Sequence, residues 1–163
     1  MKKKLQTVTL GCSKNKVDTE HILSQVEDQY EIIPEGEDIP VDVILLNTCG
    51  FIGDAKEESV QAILEAVERK KRGEAGKVIV FGCLSQRYAH EMPELVPEVD
   101  AWFRARDFDP VVKALGVDPD PSAASRRYLT TPSHYAYLKI SEGCDRRCSY
   151  CAIPFIRGAH KSV

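Results

Sequence analysis

The stretch Val41-Asp42-Val43-Ile44-Leu45-Leu46 decides the fold of this chain, because it is apolar at nearly every position. A strand with one wet face alternates apolar and polar residues, whereas a strand buried on both faces of a parallel sheet gives a nearly continuous apolar run. The run stops at Asn47-Thr48-Cys49-Gly50, where glycine breaks the pattern. We therefore predict a buried strand of a parallel sheet here.

The segments on either side repeat the order of strand and helix. Their period of about 35 residues is long enough for parallel strand–helix–strand units, so we predict an α/β fold with a parallel sheet flanked by helices. Hydrophobic spacing gives the individual elements. It predicts strands at residues 5–10, 77–81, 99–103 and 135–140, and a loop at 31–40. It also predicts helices from residue 13 and at 54–72, 86–95 with a break near Pro93, and 107–115.

Three cysteines follow three of the predicted strands at the point where each strand ends. They are Cys12, Cys49 and Cys83, each with a glycine neighbour. Because the carboxyl ends of parallel strands meet at one edge of the sheet, we expect these thiols to converge. Three thiolates would leave one iron of a 4Fe–4S cluster open to a ligand. The alternative is three buried core cysteines, since free cysteine is often buried.

A second group of cysteines lies in one loop after the apolar run at residues 135–140. Cys144, Cys148 and Cys151 have Cys-x3-Cys-x2-Cys spacing, so their thiolates can reach one metal centre. Zinc usually takes four ligands from paired short motifs. Three cysteines therefore favour a 4Fe–4S cluster with an open iron over a zinc knuckle.

Composition narrows the class of protein. The 163 residues carry a net charge of −3, with 43% hydrophobic and 29% charged residues, which is typical of a globular protein and not of a general nucleic-acid binder. No apolar run is long enough to cross a bilayer. We therefore expect a cytoplasmic chain without membrane association or direct nucleic-acid binding, whose six cysteines bind metal and form no disulfides.

Several motifs resemble the RimO-type methylthiotransferases, a family of radical S-adenosylmethionine (SAM) enzymes. The related tRNA-modifying enzymes share six cysteines but open with Gly-Cys-Gln-Met-Asn, so the opening motif favours the RimO type. Around residues 102–107 the chain lacks a glycine that the family would lead us to expect. The matching motifs are Gly11-Cys12-Ser13-Lys14-Asn15, Asn47-Thr48-Cys49-Gly50-Phe51-Ile52, Gly82-Cys83-Leu84, and the second cysteine loop with Ala152-Ile153-Pro154 and Arg157-Gly158.

The resemblance implies a domain order and a set of cofactor ligands. Residues 1–116 would form the N-terminal methylthiotransferase domain, 117–133 a linker, and 134–163 the first strand and cluster loop of a truncated radical-SAM barrel. Two 4Fe–4S clusters and SAM would be the cofactors. The ligands would be Cys144, Cys148 and Cys151 for the radical-SAM cluster and Cys12, Cys49 and Cys83 for the auxiliary cluster, with Tyr150 near the SAM adenine or simply packed.

The resemblance also implies a reaction and its partners. A methylthio group would be added to the β-carbon of an aspartate in a small-subunit ribosomal protein, in or near the ribosome, with electrons from a donor such as flavodoxin or ferredoxin. No catalytic residue beyond the cluster ligands is expected, and this portion alone should be inactive because most SAM contacts belong to the missing barrel. The alternatives are a tRNA-adenosine methylthiotransferase and a non-catalytic iron–sulfur or zinc-stabilised ribosome-interaction fragment.

Each polar residue near the cysteines could have either a structural role or a role at the cofactor. We expect Asn15 to cap a helix and Asn47 to bond at a strand end, with hydrogen bonds to cluster sulfur as the alternative. A local basic cluster should be mostly solvated, although it could meet the SAM carboxylate or an acidic substrate. That cluster consists of Arg146, Arg147, Arg157, His160 and Lys161.

Overall fold

The computed structural model describes residues 1–162 and contains a five-stranded sheet in the order β2-β1-β3-β4-β5. Every pairing within this sheet is parallel. The predicted α/β fold is therefore confirmed. The strands are β1 (Lys3–Thr9), β2 (Tyr30–Ile33), β3 (Val41–Thr48), β4 (Ala75–Gly82) and β5 (Ala101–Trp102).

The apolar run predicted as a buried strand lies at the centre of the sheet, as β3. Val43 and Leu45 belong to one hydrophobic cluster, and Ile44 and Leu46 belong to the other. Alternate residues of a strand point to opposite faces. Both faces of β3 are therefore covered, as a continuous apolar sequence requires.

Helices cover both faces of the sheet. Helices α1 and α5 supply apolar residues to one cluster, and α2 and α4 supply them to the other. Among the helices of residues 1–162, none combines the length and apolarity that crossing a bilayer requires. The helices of the sheet domain are α1 (Ser13–Val26), α2 (Gly53–Lys71), α3 (Cys83–Arg87), α4 (Glu91–Leu95) and α5 (Phe108–Ala114).

Three predicted elements differ from the structure in this part. The expected loop at residues 31–40 begins inside β2, a four-residue edge strand with Tyr30 and Ile33 buried. The expected helix at 86–95 is two short helices separated at residues 88–90 and not near Pro93. Pro93 lies in the first turn of the second helix, where a missing amide is tolerated. The expected strand at 99–103 is reduced to the two residues of β5.

The strand predicted at residues 135–140 is wrong. These residues are largely exposed, and none of the strands described in residues 1–162 pairs with them. A short antiparallel pair, β6 (Ser141–Glu142) with β7 (Lys161–Ser162), encloses α6 (Ile153–Arg157). The barrel start and the domain limits at 116 and 133 stay predictions.

Candidate functional site

The three strand-end cysteines lie at the same edge of the sheet. In the register of the central strands, Thr48 of β3 is paired with Gly82 of β4, so Cys49 and Cys83 follow directly from neighbouring positions. Cys12 follows β1, the strand on the other side of β3, and is the N-cap of α1. We call this group of three thiols the strand-end site.

Gly11 brings the β1–α1 loop against the side chain of Cys49. A Cβ at residue 11 would lie 2.6 Å from Cys49 Cβ and 2.8 Å from Cys49 Sγ, which no real side chain tolerates. The φ angle of Gly11 is +87°, a region that favours glycine. Cys49 and Cys83 are buried whereas Cys12 is exposed, so the strand-end site opens to the surface at Cys12.

Two asparagines hold the loops of the strand-end site together. Asn15 Nδ2 donates to the carbonyls of Leu10 at 2.8 Å and Thr48 at 3.2 Å, and no side chain caps α1. Asn47 Nδ2 donates to the Asn15 carbonyl at 2.8 Å. Hydrogen bonding at the strand end is thus confirmed for Asn47, while the capping role expected of Asn15 is wrong because its amide serves the loop.

Arg157 is not part of an exposed basic cluster, because only 3% of it is exposed. Its Nη1 donates to Asp18 Oδ2 at 2.7 Å and to Glu142 Oε2 at 3.1 Å, and its Nη2 donates to Asn15 Oδ1. Lys139 forms ion pairs with the same two carboxylates. We call Asp18, Lys139, Glu142 and Arg157 the buried charge cluster.

Sequence reasoning missed the buried charge cluster, although one signal was present. Asp18 lies between Val17 and Ile22 on a helix whose apolar residues face the sheet, and it is 1% exposed. A carboxylate at such a position needs a partner, because an unpaired buried charge is costly. The partner, Arg157, is 139 residues away in sequence, so no local pattern could identify it.

The electrostatics of the strand-end site follow from burial and from Arg157. Burial raises the pKa of the Cys83 thiol, and the nearby guanidinium of Arg157 opposes this effect. Burial alone would lower the pKa of Arg157, but the charges of Asp18, Cys83 and Glu142 raise it above its ordinary value. Arg157 therefore remains charged beside Cys83.

The second cysteine loop lies in a more open setting. Cys144 and Cys151 are half-buried and Cys148 is exposed. Cys148 and Cys151 line a cavity of about 460 Å³ together with Arg147, Ser149, Pro154 and Phe155. Tyr150 is 89% exposed and is not among the residues that line this cavity, so its predicted place near an adenine stays a prediction.

The residue types at the strand-end site are suitable for binding an iron–sulfur cluster. Three thiols share one edge, Cys12 provides an opening, and the bare Cα of Gly11 leaves room that a side chain would fill. Within residues 1–162, however, no three His, Cys, Asp or Glu side chains are already arranged to hold a metal ion. The thiols would therefore have to draw together around a shared centre.

Comparison with known proteins assigns the family. The family described as "Uncharacterized protein family UPF0004" matches residues 4–104. The chain belongs to the UPF0004 family. This match covers β2 to β5 and all of β1 except Lys3, and it includes all three cysteines of the strand-end site.

Curated relatives of this UPF0004 chain carry the name "Ribosomal protein uS12 methylthiotransferase RimO". The protein of Porphyromonas gingivalis is 49% identical over 160 residues, which is 98% of this chain and 37% of the relative. That of Bacteroides thetaiotaomicron is 48% identical over 162 residues, 99% of this chain and 37% of the relative. That of Christiangramia forsetii is 46% identical over 162 residues, 99% of this chain and 36% of the relative.

The chain thus spans somewhat more than a third of the length of these relatives, at 36–37%. The predicted resemblance to the N-terminal portion of the RimO-type methylthiotransferases is confirmed. The relatives are methylthiotransferases by name, so this chain belongs to a family that contains enzymes.

Proposed function

We propose that this chain is part of a radical-SAM methylthiotransferase that adds a methylthio group to the β-carbon of an aspartate in a small-subunit ribosomal protein. The observation that carries the proposal is the meeting of Cys12, Cys49 and Cys83, from three separate strand ends, at one edge of the sheet. The curated relatives, named for ribosomal protein uS12, support a ribosomal substrate and hence a cytoplasmic place of action near the ribosome.

The six cysteines divide into two ligand sets in this proposal. Cys144, Cys148 and Cys151 would hold the radical-SAM 4Fe–4S cluster, and the strand-end site would hold the auxiliary 4Fe–4S cluster. When bound, these clusters would supply the reductive cleavage of SAM and a place for the sulfur to be transferred, with electrons from a flavodoxin or ferredoxin. Tyr150 would lie near the adenine of SAM.

The protein's own residues would orient and shield the strand-end site. Gly11 lets the backbone approach Cys49 closely, and Asn15 ties the β1–α1 loop to the end of β3. The burial of Cys49 and Cys83 keeps water away from two of the three thiols. Positioning a cofactor and excluding solvent are the contributions expected of the protein in cofactor chemistry.

Iron and sulfide content after anaerobic reconstitution tests the cluster assignment. We expect about eight irons per wild-type chain and about four in each of two triple variants, because each cubane has four irons. The variants are Cys12→Ala/Cys49→Ala/Cys83→Ala and Cys144→Ala/Cys148→Ala/Cys151→Ala, which serve as matched controls for each other. A colourless protein with stoichiometric zinc would contradict the proposal.

The substrate is tested separately with a full-length enzyme that contains this portion. Mass spectrometry of ribosomal protein uS12 and of tRNA should be compared in cells with and without the gene. We expect a methylthio group on an aspartate of the ribosomal protein, as the names of the relatives suggest. A methylthio group on a tRNA adenosine instead would favour the tRNA-modifying alternative.

A further inference from the structure

Arg157 connects the two parts of the chain that carry the cysteines. It ends α6, which follows the second cysteine loop, and its side chain is bound to Asn15 and Asp18 of α1. Helix α6 also packs against α3, the helix that Cys83 begins. The buried guanidinium of Arg157 is therefore one of the contacts that fix the second cysteine loop to the strand-end site.

Asn15 is the point at which Arg157 and the thiols meet. Asn15 Oδ1 accepts from Arg157 Nη2, and the same oxygen lies 3.9 Å from Cys83 Sγ. The Nδ2 of Asn15 is occupied by the carbonyls of Leu10 and Thr48, which fixes the orientation of the amide. The guanidinium is thus held beside Cys83 and cannot swing away without breaking these bonds.

The positive charge of Arg157 balances one of the two negative charges in the buried charge cluster, so removal of Arg157 would leave that cluster with a net negative charge. The buried charge cluster has two carboxylates and two cations. Without Arg157, Asp18 and Glu142 would face Lys139 alone. One uncompensated negative charge would then remain near cysteines that become negative thiolates when they hold a cluster. Lys139 contacts the same carboxylates but has no hydrogen bond to Asn15 among residues 1–162.

We propose that Arg157 is a positioning residue that supplies the positive charge beside Cys83 and thereby makes the cluster at the strand-end site easier to reduce. The inference rests on the proposed function, because it requires a cluster at these cysteines. Reduction adds negative charge to a cluster, and a nearby buried cation favours the state with more negative charge. The docking of the second cysteine loop and the reduction potential of the cluster at the strand-end site would then both depend on the Arg157 side chain.

The test is a redox titration monitored by electron paramagnetic resonance. The reference protein is the full chain carrying Cys144→Ala/Cys148→Ala/Cys151→Ala, in which only the strand-end cluster gives a signal. Arg157→Met should lower the midpoint potential so that the ratio of reduced to oxidised cluster at a fixed potential falls about tenfold, which is about 59 mV for one electron. Arg157→Lys keeps the positive charge, so its midpoint potential should stay close to that of the reference protein. Lys139→Met, the matched control, removes the same charge from a residue that bonds Asp18 and Glu142, and it should shift the potential less.

A charge-neutral double variant separates charge from docking. Asp18→Asn/Arg157→Met lacks the contact between α1 and α6 but has the same net charge as the reference, so its potential should return towards the reference. If it instead shifts as far as Arg157→Met does, the contact and not the charge is responsible, and the inference is overturned. If Arg157→Met does not fold, the direction of the shift in Asp18→Asn provides the test. Removal of this negative charge should raise the midpoint potential of the cluster.

The remaining outcomes distinguish this inference from the proposed function. Iron bound at the strand-end site with an unchanged potential in Arg157→Met would overturn the inference and leave the proposed function intact. A reference protein that binds no iron at Cys12, Cys49 and Cys83 would overturn both. Hydrogen exchange of residues 139–157 should rise in Arg157→Met and in the double variant, which reports the docking separately from the potential.

Discussion

Gly11 shows how a single residue without a side chain can determine a site. Gly11→Ala should destabilise the protein by about 1–2 kcal/mol for the positive φ, plus about 1–3 kcal/mol for the clash with Cys49. It should also impair iron binding at the strand-end site. Thermal unfolding and iron content measure the two effects.

Gly36 provides the control for the backbone contribution at Gly11. Its φ is +88°, almost the same as at Gly11, but a Cβ there would have nothing within 4 Å. Gly36→Ala should therefore cost only the conformational strain and leave iron content unchanged. Equal losses of stability and iron in the two variants would show that contact with Cys49 is unimportant.

Individual site residues were predictable from sequence to different degrees. The placement of Cys12, Cys49 and Cys83 at one edge could be predicted, because each follows a strand and the carboxyl ends of parallel strands meet. The burial of Arg157 could not be predicted, because its partners Asn15 and Asp18 lie on α1, 142 and 139 residues away in sequence. Long-range ion pairs leave no mark on local hydrophobic periodicity.

At the level of elements, α2 ends in a motif that requires a left-handed residue. Gly73, at φ +78°, follows the C-cap, and the amides of Gly73 and Glu74 donate to the carbonyls of Lys70 and Arg69. Gly73→Ala should lower the free energy of unfolding by about 1 kcal/mol, because alanine resists this conformation. Gly73→Asn should lose less, since asparagine tolerates it, and equal losses in urea unfolding would argue against this explanation.

The edge strand β5 is tied to α2 through Asp100. Asp100 forms an ion pair with Lys70 at 2.7 Å and accepts from the Val78 amide at 2.8 Å. Burial would raise the pKa of Asp100, but the bonds from Lys70 and Val78 hold it below its ordinary value. The resulting stability is fully present above the unfolded pKa of about 3.9 and is lost as the pH falls through the folded pKa.

The pH dependence of thermal unfolding tests whether the bonds of Asp100 to Lys70 and Val78 stabilise the protein. As the pH falls below about 4, the wild type should lose more stability than Asp100→Asn, which has no carboxylate to protonate. Lys70→Met should flatten the profile in the same range by removing the main partner. Parallel profiles for all three proteins would refute the role of Asp100.

Elements buried in the core were the easiest to predict, and those at edges the hardest. Strand β3 was clear because both of its faces are covered. Strand β2 was missed because only Tyr30 and Ile33 are buried and its other residues look like the following loop. Residues 135–140 have the apolar pattern of a strand but pair with no strand among residues 1–162, and sequence pattern alone does not reveal whether a partner exists.

For the molecule as a whole, two buried acids of α1 depend on residues that follow the parallel sheet in sequence. Asp18 is paired with Arg157, and Glu20, fully buried, forms an ion pair with Arg127 at 2.8 Å and accepts from Thr130. A chain of residues 1–116 should therefore be less stable than 1–163 by at least about 3–5 kcal/mol, because the acids lose their partners.

Neutral replacements test the cause of this loss. Asp18→Asn/Glu20→Gln should recover much of the stability in residues 1–116, yet destabilise the 163-residue chain. Chemical denaturation of the four proteins gives both comparisons. If the double variant fails to stabilise the shorter chain, lost apolar contacts explain the difference better than unpaired charge.

The distance in sequence between Asp18 and Arg157 also has a consequence for biosynthesis. Ribosomes add about 5–20 residues per second, so the 139 residues that separate the pair take roughly 7–28 s to make. During that interval the nascent sheet carries an acid without its cation. The first helix of the protein therefore reaches its final environment only after both sets of cysteines have been synthesised, which makes this ion pair a late step of co-translational folding.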